Sequence, residues 1–503
     1  MPRKLAIALV TGEINPYSKT GGLADVAGAL PGALAALGHD VHVFTPLHRQ
    51  ISTKTHGLKK ILTHMPIIIG RTTYHYNLWR GTMPSGQPIY FIDNFELFRS
   101  RHKLYGYPKD GNLRYFFFDK AVLDAMMRIQ VAPDIIHCHD WHTGLIPNLL
   151  SSPAFGAYYF YTATVMTIHN IAFQSATETG YSHAASRDRC VGQPREDATS
   201  IRKLNFLLRG ITFADVISTV SDKYAHEIQT PEFGCGLEKV LYKRRRRLFG
   251  ILNGIDYSHF DPRHDTNLHV RYHLDTLNRK LRNKSFLQIQ MGVEQDDNIP
   301  IIGMATRITE QKGFDLLFEI IDDLMKLHVQ LVIVGAGETK YERKIIAYQK
   351  KYPDRFGAHL IFSEEVASWI YAGSDLFLMP SRFEPCGLGQ MIALRYGTIP
   401  IVHKTGGLAD TITNYDPSKK RGNGFVFTKY ESKDLLAAIT RALGAFKYRD
   451  RWSKLMQFGM SQSYSWELPA KQYIKLFRLA QQKRRKTPII SFTPDKSLIH
   501  FES

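Results

Sequence analysis

Two glycine-rich stretches in opposite halves of the chain nearly repeat each other: Lys19-Thr20-Gly21-Gly22-Leu23-Ala24-Asp25-Val26 and Lys404-Thr405-Gly406-Gly407-Leu408-Ala409-Asp410-Thr411. Each follows an apolar run typical of a buried strand and precedes a helical pattern. Such a junction directs backbone N–H groups and a helix dipole at an anion. The alternative is a tight turn that needs small residues. Two such loops in halves of similar length predict twin α/β domains that close on one phosphorylated ligand.

The order of strand and helix patterns around these stretches predicts repeated β-α-β units. The first series has a helix over Ala24–Leu37 and strands Leu5–Thr11, His39–Pro46, Ile135–Cys138, Thr164–Ile168, Val216–Val220 and Phe249–Leu252. The second series has strands Ile299–Ala305, Gln330–Val334, His359–Phe362, Leu376–Met379 and Ile399–His403. Between about Thr53 and Tyr105, the alternating runs Thr73–Arg80 and Pro88–Asp93 predict a hairpin insertion.

The two series predict an N-terminal Rossmann-like domain over residues 1–253 and a C-terminal one over residues 254–466. We expect a hinge near Gly254-Ile255-Asp256. A last helix at about Glu467–Gln482 is expected to pack back on the first domain, and residues 483–503 are read as a basic, irregular tail. Ligands of doubly wound domains bind at the carboxyl ends of the strands, so the expected site is a deep cleft between the domains.

The formal net charge of +19 is unusual and raises the question of a nucleic-acid or membrane partner. The basic runs, Lys243–Arg247, Lys419–Arg421 and Lys483–Lys486, lack interleaved aromatic residues. We therefore interpret them as solvated surface, with attraction of anionic metabolites as the alternative, and expect no nucleic acid.

Cysteine usage and the apolar runs bear on the compartment. Cys138, Cys190, Cys235 and Cys386 show no metal spacing and are read as free thiols in a reducing compartment. No signal-peptide pattern is seen, and no apolar run reaches the roughly 18 residues of a membrane span. The expectation is a soluble, cytoplasmic protein without a membrane partner.

The turn after the strand Ile299–Ala305 carries two cations, Arg307 and Lys312, five residues apart. They can converge on one diphosphate and neutralise charge on a departing phosphate, whereas the alternative is a solvated helix start. Glu384 lies at another strand-to-helix junction, where ligand orientation and helix capping compete as explanations. Cys386 has no neighbouring base in the sequence, which favours a packing role.

The segment His137-Cys138-His139-Asp140-Trp141-His142 ends a predicted strand. Its histidines invite a metal interpretation, but no further ligands with zinc spacing follow, so no metal is expected. Asp140 and Trp141 fit a carbohydrate cleft, with a carboxylate for hydroxyl groups and an indole for a sugar face. The pair His169-Asn170 has the same placement at the end of a strand, and a capping or structural histidine is the alternative.

With these residues aligned, the chain resembles the glycogen and starch synthase family, the ADP-glucose-dependent α-1,4-glucan synthases of bacteria and plastids. The most specific matches are Pro380–Leu388 and Lys404–Asp410, and the resemblance spans nearly the whole chain. It implies a pair of Rossmann-like domains of the GT-B type. It also implies retaining transfer of glucose from ADP-glucose to the non-reducing-end 4-hydroxyl of an α-1,4-glucan such as glycogen, with no cofactor or metal.

The resemblance also assigns residues. It implies catalytic roles for Asp140, His169, Arg307, Lys312 and Glu384. It implies substrate contacts for Lys19, Gly21, Gly22, Asp25, Trp141, Asn170, Asn253, Phe362, Cys386, Gly387, Leu388, Thr405 and Gly406. Phe362 falls where bacterial relatives carry the aromatic residue that stacks on adenine.

Some positions depart from the family pattern. Gly389 replaces a hydroxyl residue, Arg209 replaces a lysine, and Phe362 lacks a hydroxyl group, which leaves UDP-glucose as an alternative donor. The stretch Ser182–Ser200 and the spacing around Tyr105–Phe118 differ near the expected acceptor side. Rival functions are another nucleotide-sugar transferase or epimerase, a catalytically silent glucan-binding protein, and a pyridoxal-phosphate-dependent phosphorylase.

Overall fold

Two separate β-sheets organise the chain. The computed structural model describes residues 3–105, 110–175, 188, 190, 192–419 and 421–485. Within these residues, a nine-stranded sheet has the order β3-β4-β5-β2-β1-β6-β7-β8-β9, and a six-stranded sheet has the order β12-β11-β10-β13-β14-β15. The first sheet comprises β1 Ala6–Val10, β2 Asp40–Pro46, β3 Lys59–Ile69, β4 Thr72–Thr82, β5 Pro88–Asp93, β6 Ile135–His139, β7 Ala163–Ile168, β8 Val216–Thr219 and β9 Leu248–Gly250. The second comprises β10 Ile301–Ala305, β11 Gln330–Val334, β12 Phe356–His359, β13 Leu376–Met379, β14 Ile399–His403 and β15 Phe425–Phe427.

Helices cover the faces of both sheets. Those of the N-terminal half are α1 Gly22–Ala36, α2 Gly111–Arg128, α3 Ile146–Leu149, α4 Ala198–Arg202, α5 Phe206–Phe213, α6 Asp222–Glu227 and α7 Glu238–Lys243. The others are α8 Lys280–Met291, α9 Phe314–Lys326, α10 Thr339–Lys351, α11 Glu364–Gly373, α12 Gly389–Arg395, α13 Gly406–Thr411, α14 Ser432–Phe446, α15 Arg449–Ser461 and α16 Glu467–Arg485.

The parallel strands are buried on both faces, which explains their continuous apolar sequences. In β1, Ile7 and Leu9 pack into one hydrophobic cluster while Ala8 and Val10 pack into another on the opposite face. Alternate side chains of a strand point to opposite faces, so a helix layer is needed on each side. The predicted fold class, two doubly wound parallel α/β sheets, is confirmed.

The insertion after β2 extends the first sheet rather than standing apart from it. Strand β5 pairs parallel with β2 and antiparallel with β4, and β4 pairs antiparallel with β3. The predicted runs Thr73–Arg80 and Pro88–Asp93 are strands, but the edge strand β3 was not predicted. Its side chains are mostly exposed, so it lacks the continuous apolar run that marks the buried strands.

The connection between the halves consists of two crossing segments. Ile255 forms a bridge with Ser465, and its N–H donates to the Tyr464 carbonyl at 2.8 Å. A Cβ at Gly254 would lie 2.7 Å from the Trp466 nitrogen, so only glycine permits this approach. Helix α16 then returns to the first sheet, where Phe477 is fully buried in the same cluster as β1 side chains.

Three sequence expectations differ in detail. The strand predicted at His359–Phe362 is instead β12, which ends at His359, and the short strand β15 was not predicted. Arg244, expected on the solvated surface, is half-buried and donates to the Thr212 carbonyl in the last turn of α5 at 2.7 Å. Lys420, Lys486 and Thr487–Ser503, where an irregular tail was predicted, lie outside the described residues, as does most of Ser182–Val191. In the described part of the chain, no helix combines the length and apolar character needed to cross a membrane.

Candidate active site

A cavity of about 820 Å³ opens where the carboxyl ends of the parallel strands of both sheets meet. Parallel strands end at one edge, so the loops that follow them converge there. The cavity wall includes sixteen of the eighteen residues predicted from the sequence: Lys19, Gly21, Gly22, Asp25, Asp140, Trp141, His169, Asn170, Asn253, Arg307, Lys312, Phe362, Glu384, Cys386, Gly387 and Leu388. Thr405 and Gly406 are not part of this wall.

The first glycine stretch borders open space. A Cβ at Gly21 would come no closer than 4.0 Å to Glu13, and one at Gly22 would meet nothing within 4 Å. Neither glycine is needed to relieve a contact inside the protein, which leaves room beside the backbone for a ligand. Lys19 places its Nζ 2.9 Å from Asp25 and 2.9 Å from Glu364, so it links the two halves across the cavity.

The second glycine stretch has a different role, although its sequence is nearly the same. Gly406 has φ +41°, and a Cβ there would lie 2.0 Å from the Glu384 carbonyl oxygen. Its N–H donates to both carboxylate oxygens of Glu227 at 3.2 and 3.1 Å. The Gly407 N–H donates to the Glu384 and Pro385 carbonyls, both at 3.1 Å.

These contacts give Thr405 and Gly406 a place behind the cavity wall, and direct contact of the two residues with substrate stays a prediction. The amides of Gly406 and Gly407 are already bonded inside the protein, and Thr405 is buried. Both glycines are required by close approach to the loop that carries Glu384. The second stretch therefore supports the cavity wall instead of forming it.

Lys312 and Glu384 form a buried ion pair at the cavity. The Lys312 Nζ lies 2.5 Å from the Glu384 Oε2, and the side chains are 14% and 9% exposed. Ser381 donates from Oγ to the same carboxylate oxygen at 3.0 Å. Arg307 lies on the same wall, exposed to the cavity, and no carboxylate of the described residues pairs with it. Its guanidinium is thus available to an anion.

Asp140 is held in a strained conformation directly after β6. Its φ is +55°, an uncommon value for a residue with a side chain. The carboxylate Oδ1 accepts the His169 N–H at 2.7 Å and, at 3.4 Å, the Asn170 N–H. These bonds tie the end of β6 to the end of β7. Burial raises the pKa of the Asp140 carboxyl to about 7, although the two amides act in the opposite direction.

His169 is connected to a second buried histidine rather than to a metal cluster. Its Nε2 lies 2.9 Å from His139 Nδ1, and the two rings are stacked with centroids 5.2 Å apart. Burial lowers the pKa of His169 to about 3, so the imidazole is neutral at pH 7. No group of three or more His, Cys, Asp or Glu side chains among the described residues is spaced to hold a metal ion. A reaction without metal remains a prediction.

The remaining polar wall offers hydrogen-bond acceptors. The Asn253 Oδ1 is buried without a hydrogen-bond partner among the described residues, although it borders the cavity. A ligand hydroxyl would satisfy it. Burial raises the pKa of Cys386 to about 12, which keeps the thiol protonated and agrees with a packing role. Trp141 is packed edge-on against Tyr115 and is almost fully buried, so little of its ring is free for a sugar face.

Phe362 is the one predicted site residue with a largely exposed ring. It is 75% exposed at the cavity, just beyond β12 and before α11. An exposed aromatic face at a cavity suits a planar ring of the ligand. The neighbouring Glu364 begins α11 and pairs with Lys19.

Sequence reasoning missed Glu13, Tyr105, His142 and Glu364, all of which border the cavity. Glu13 follows β1, and its Oε2 accepts the Thr20 N–H at 2.7 Å, so it holds the first glycine stretch in place. Its position just after a buried strand could have identified Glu13 as a candidate site residue. Burial raises the pKa of Glu13 to about 7. The rings of Tyr105 and His142 contact each other at a tilt of 30° with centroids 4.7 Å apart, a contact that no local motif indicates.

Comparison with known protein families gives two consecutive matches. Residues 6–243 match the family described as starch synthase catalytic domain, and residues 288–456 match the family described as glycosyl transferases group 1. The boundary between the matches lies close to the break between the two sheets.

Two relatives that match over almost their whole length are glycogen synthases. Glycogen synthase of Moorella thermoacetica is 43% identical over 491 residues, covering 96% of this chain and 99% of the relative. Glycogen synthase of Pseudothermotoga lettingae is 39% identical over 492 residues, covering 96% of this chain and 100% of the relative.

Solved structures share the architecture. The catalytic domain of starch synthase IV from Arabidopsis thaliana, bound to ADP and acarbose, superposes with a TM-score of 0.85 at 30% identity, covering 95% of this chain and 100% of that one. Sucrose-phosphate synthase from Thermosynechococcus elongatus, at 18% identity, shares the fold with a TM-score of 0.57 over 95% of this chain and 98% of that one.

The raised pKa of Glu13 predicts a stability change with pH. From its ordinary value of 4.5 up to about 7, the folded state keeps a proton that the unfolded state has released. The wild-type free energy of unfolding should therefore fall by about 3 kcal/mol relative to Glu13→Gln as pH rises through this window. Urea unfolding of both proteins from pH 4 to pH 8 measures it, with the exposed Glu365→Gln as control. A constant difference between wild type and Glu13→Gln would contradict the assignment.

The unlike surroundings of the two glycine stretches predict opposite outcomes for the same substitution. Gly22→Ala should change the free energy of unfolding by less than about 0.5 kcal/mol, because the added methyl group meets open space, yet weaken binding of ADP. Gly406→Ala should cost at least about 2 kcal/mol, because of its positive φ and the contact with the Glu384 carbonyl. Thermal unfolding and calorimetric titration with ADP measure the two effects. Equal destabilisation by both substitutions would refute the distinction.

Proposed function

The chain belongs to the glycogen and starch synthase family, as its motifs predict, and we propose that it elongates an α-1,4-glucan with glucose from ADP-glucose. Membership makes it a glycosyltransferase with the two Rossmann-like domains of the GT-B architecture. The predicted division into residues 1–253 and 254–466 is part of this proposal, with the acceptor on the N-terminal side and the donor on the C-terminal side.

The observation that carries the proposal is the charge arrangement of the cavity. Arg307, without an acidic partner among the described residues, and Lys312 lie on the wall from the second sheet, opposite Lys19 from the first. Cations on both sides of one cavity suit a diphosphate, whose two phosphates need compensation on more than one side. A protein that only bound neutral glucan would have no use for them.

The donor base is assigned to the ring of Phe362. Its exposed face is available for stacking on adenine, and the Arabidopsis structure of similar fold is described as bound to ADP. A phenyl ring stacks on any nucleobase and forms no hydrogen bonds with it. The proposed preference for ADP-glucose over UDP-glucose therefore comes from membership of the family.

The reaction needs charge stabilisation on the leaving group more than a strong base. As the bond from the glucose C1 to phosphate breaks, negative charge builds on ADP, and Arg307 and Lys312 neutralise it. Glu384 orients Lys312 through their ion pair, which fixes the ammonium group at the cavity. The acceptor 4-hydroxyl forms the new bond to C1 from the face that the phosphate leaves, and its proton passes to the departing phosphate.

The sugar is expected to lie between acceptor groups of the first sheet and its following loops. The Asn253 Oδ1 and the Asp140 carboxyl are the candidates for its hydroxyls, because each is buried at the cavity. His169 is neutral, so it can donate or accept a hydrogen bond without placing a positive charge beside the developing oxocarbenium ion. Retention by attack on the same face requires no second carboxylate as nucleophile.

A direct test uses labelled ADP-glucose and UDP-glucose, each with and without glycogen. The expected result is label in polymer only when glycogen is present, with ADP-glucose the better donor. Conversion of the nucleotide sugar without glycogen would indicate an epimerase or hydrolase. Absence of transfer from either donor would contradict the proposal.

The leaving-group role predicts the effect of losing one cation. Lys312→Ala should lower kcat by about 10²–10³, or about 2.7–4 kcal/mol, because a charge-stabilising group is removed. Steady-state kinetics with ADP-glucose and glycogen measures this, with the exposed Lys350→Ala as control. An unchanged kcat for Lys312→Ala would remove this residue from the catalytic role.

A further inference from the structure

A second, smaller pocket of about 170 Å³ lies at the end of β5, outside the candidate active site. Its wall combines side chains of β3 and β4 with the turn that follows β5, namely His64, His75, Asn77, Asp93, Phe95 and Arg99. One water needs roughly 10–15 Å³ of such space, so the pocket admits a ligand larger than a single water.

One wall depends on an irregular edge strand. The pairing of β3 with β4 shifts register between Lys60 and Leu62 and again between Leu62 and Met65. His64, within the second shift, has φ +59° and donates its N–H to the Asn77 Oδ1 at 3.0 Å. Its ring stacks on His75 with centroids 3.7 Å apart and planes within 9°. Bulges re-aim side chains, and here they present a stacked pair of flat rings at the pocket.

The opposite wall is a single π-helical turn, Phe95–Arg99. Asn94 caps it by accepting the Leu97 N–H at 2.8 Å, and its Nδ2 donates to the His75 carbonyl at 2.9 Å. These bonds fix the turn against β4. Phe95 is left 68% exposed at the pocket, and π-helical turns, which are rare, are frequent at functional sites.

The floor is a buried carboxylate. Asp93 is 4% exposed, and its Oδ2 accepts the Asn77 amide at 3.2 Å and the Trp79 indole N–H at 3.0 Å. Its Oδ1 has no donor among the described residues, so it is free to accept a hydrogen bond from a ligand.

The charged and aromatic side chains of the pocket together indicate which kind of ligand it can bind. An anion would be opposed by Asp93, and a cation would be opposed by Arg99. A neutral molecule with several hydroxyl groups can donate to the carboxylate, accept from the guanidinium, and lay an apolar face on Phe95 or the histidine pair. A sugar ring has these properties.

The position of the pocket connects it to the active-site cavity. Strand β5 is separated from β1 only by β2, which places the ends of β5 and β1 about 10 Å apart at the same edge of the sheet. The turn that ends at Arg99 is followed closely by Lys103, Leu104 and Tyr105, which border the larger cavity. One glucan chain of several units can therefore reach from one to the other.

We propose that this pocket is a glucan-binding subsite that holds the acceptor chain at a glucose unit away from its reacting end. The inference rests on the proposed function only for the identity of the glucan. It predicts that the pocket contributes to the affinity for long or branched glucans and not for short ones.

The test uses two substitutions of exposed residues, Phe95→Ala and Arg99→Ala. The control is Tyr448→Ala, which removes a similarly exposed ring from the C-terminal half of the chain. In native gels that contain glycogen, both pocket variants should bind about five- to tenfold more weakly than wild type, and the control should not. The apparent KM for glycogen should rise by the same factor, while kcat and the KM for maltotriose stay within about twofold.

Three results would overturn the proposal: unchanged retention of both pocket variants, a loss matched by Tyr448→Ala, or an equal rise of KM for maltotriose. Gel retention needs no donor, so it reports on the pocket even if no glucose transfer is found. Retention with no transfer would contradict the proposed reaction and leave the subsite standing.

Discussion

The loop that carries Glu384 is clamped between the two halves of the molecule, and the chemistry of the cavity depends on this restraint. Gly406 approaches the backbone of Glu384, and Gly407 that of Cys386, so closely that no side chain fits between them. From the N-terminal half, Ser221 donates to the Pro385 carbonyl at 2.5 Å, and Glu227 accepts the Gly406 N–H. The same contacts that join the halves therefore fix the carboxylate that holds Lys312.

Two lysines of the cavity are paired with carboxylates of the same chain. Lys312 is neutralised by Glu384, and Lys19 is neutralised by Asp25 and Glu364 from opposite sides of the cleft. A charge buried without a partner is costly, so these carboxylates stabilise the cations. A diphosphate would offer them new partners, while Arg307 has no carboxylate to exchange among the described residues.

The sequence patterns predicted the features that depend on residues close together in the chain. The buried strands, the helix after the first glycine stretch and the residues that follow the strand ends could all be found, because a doubly wound sheet puts these positions at one edge. The strand predicted at His359–Phe362 was placed too far along the chain. Ile361 and Phe362 are apolar residues that line the cavity and do not belong to the core. Apolar character alone does not separate these two uses.

Long-range contacts explain the other differences. The two glycine stretches are nearly identical in sequence, yet one borders open space and the other packs on the loop around Glu384. Nothing within either stretch indicates which segment approaches it. The pairing of Lys312 with Glu384, 72 residues apart, and the contact between the rings of Tyr105 and His142 likewise join segments distant in the sequence.

The central claim is that one diphosphate is gripped from both halves in this cavity, and a crystal structure with bound ADP tests it most directly. The account predicts phosphate oxygens within hydrogen-bond distance of Arg307 and Lys312, beside the first glycine stretch, with adenine on Phe362. ADP bound elsewhere, with this cavity empty, would contradict it.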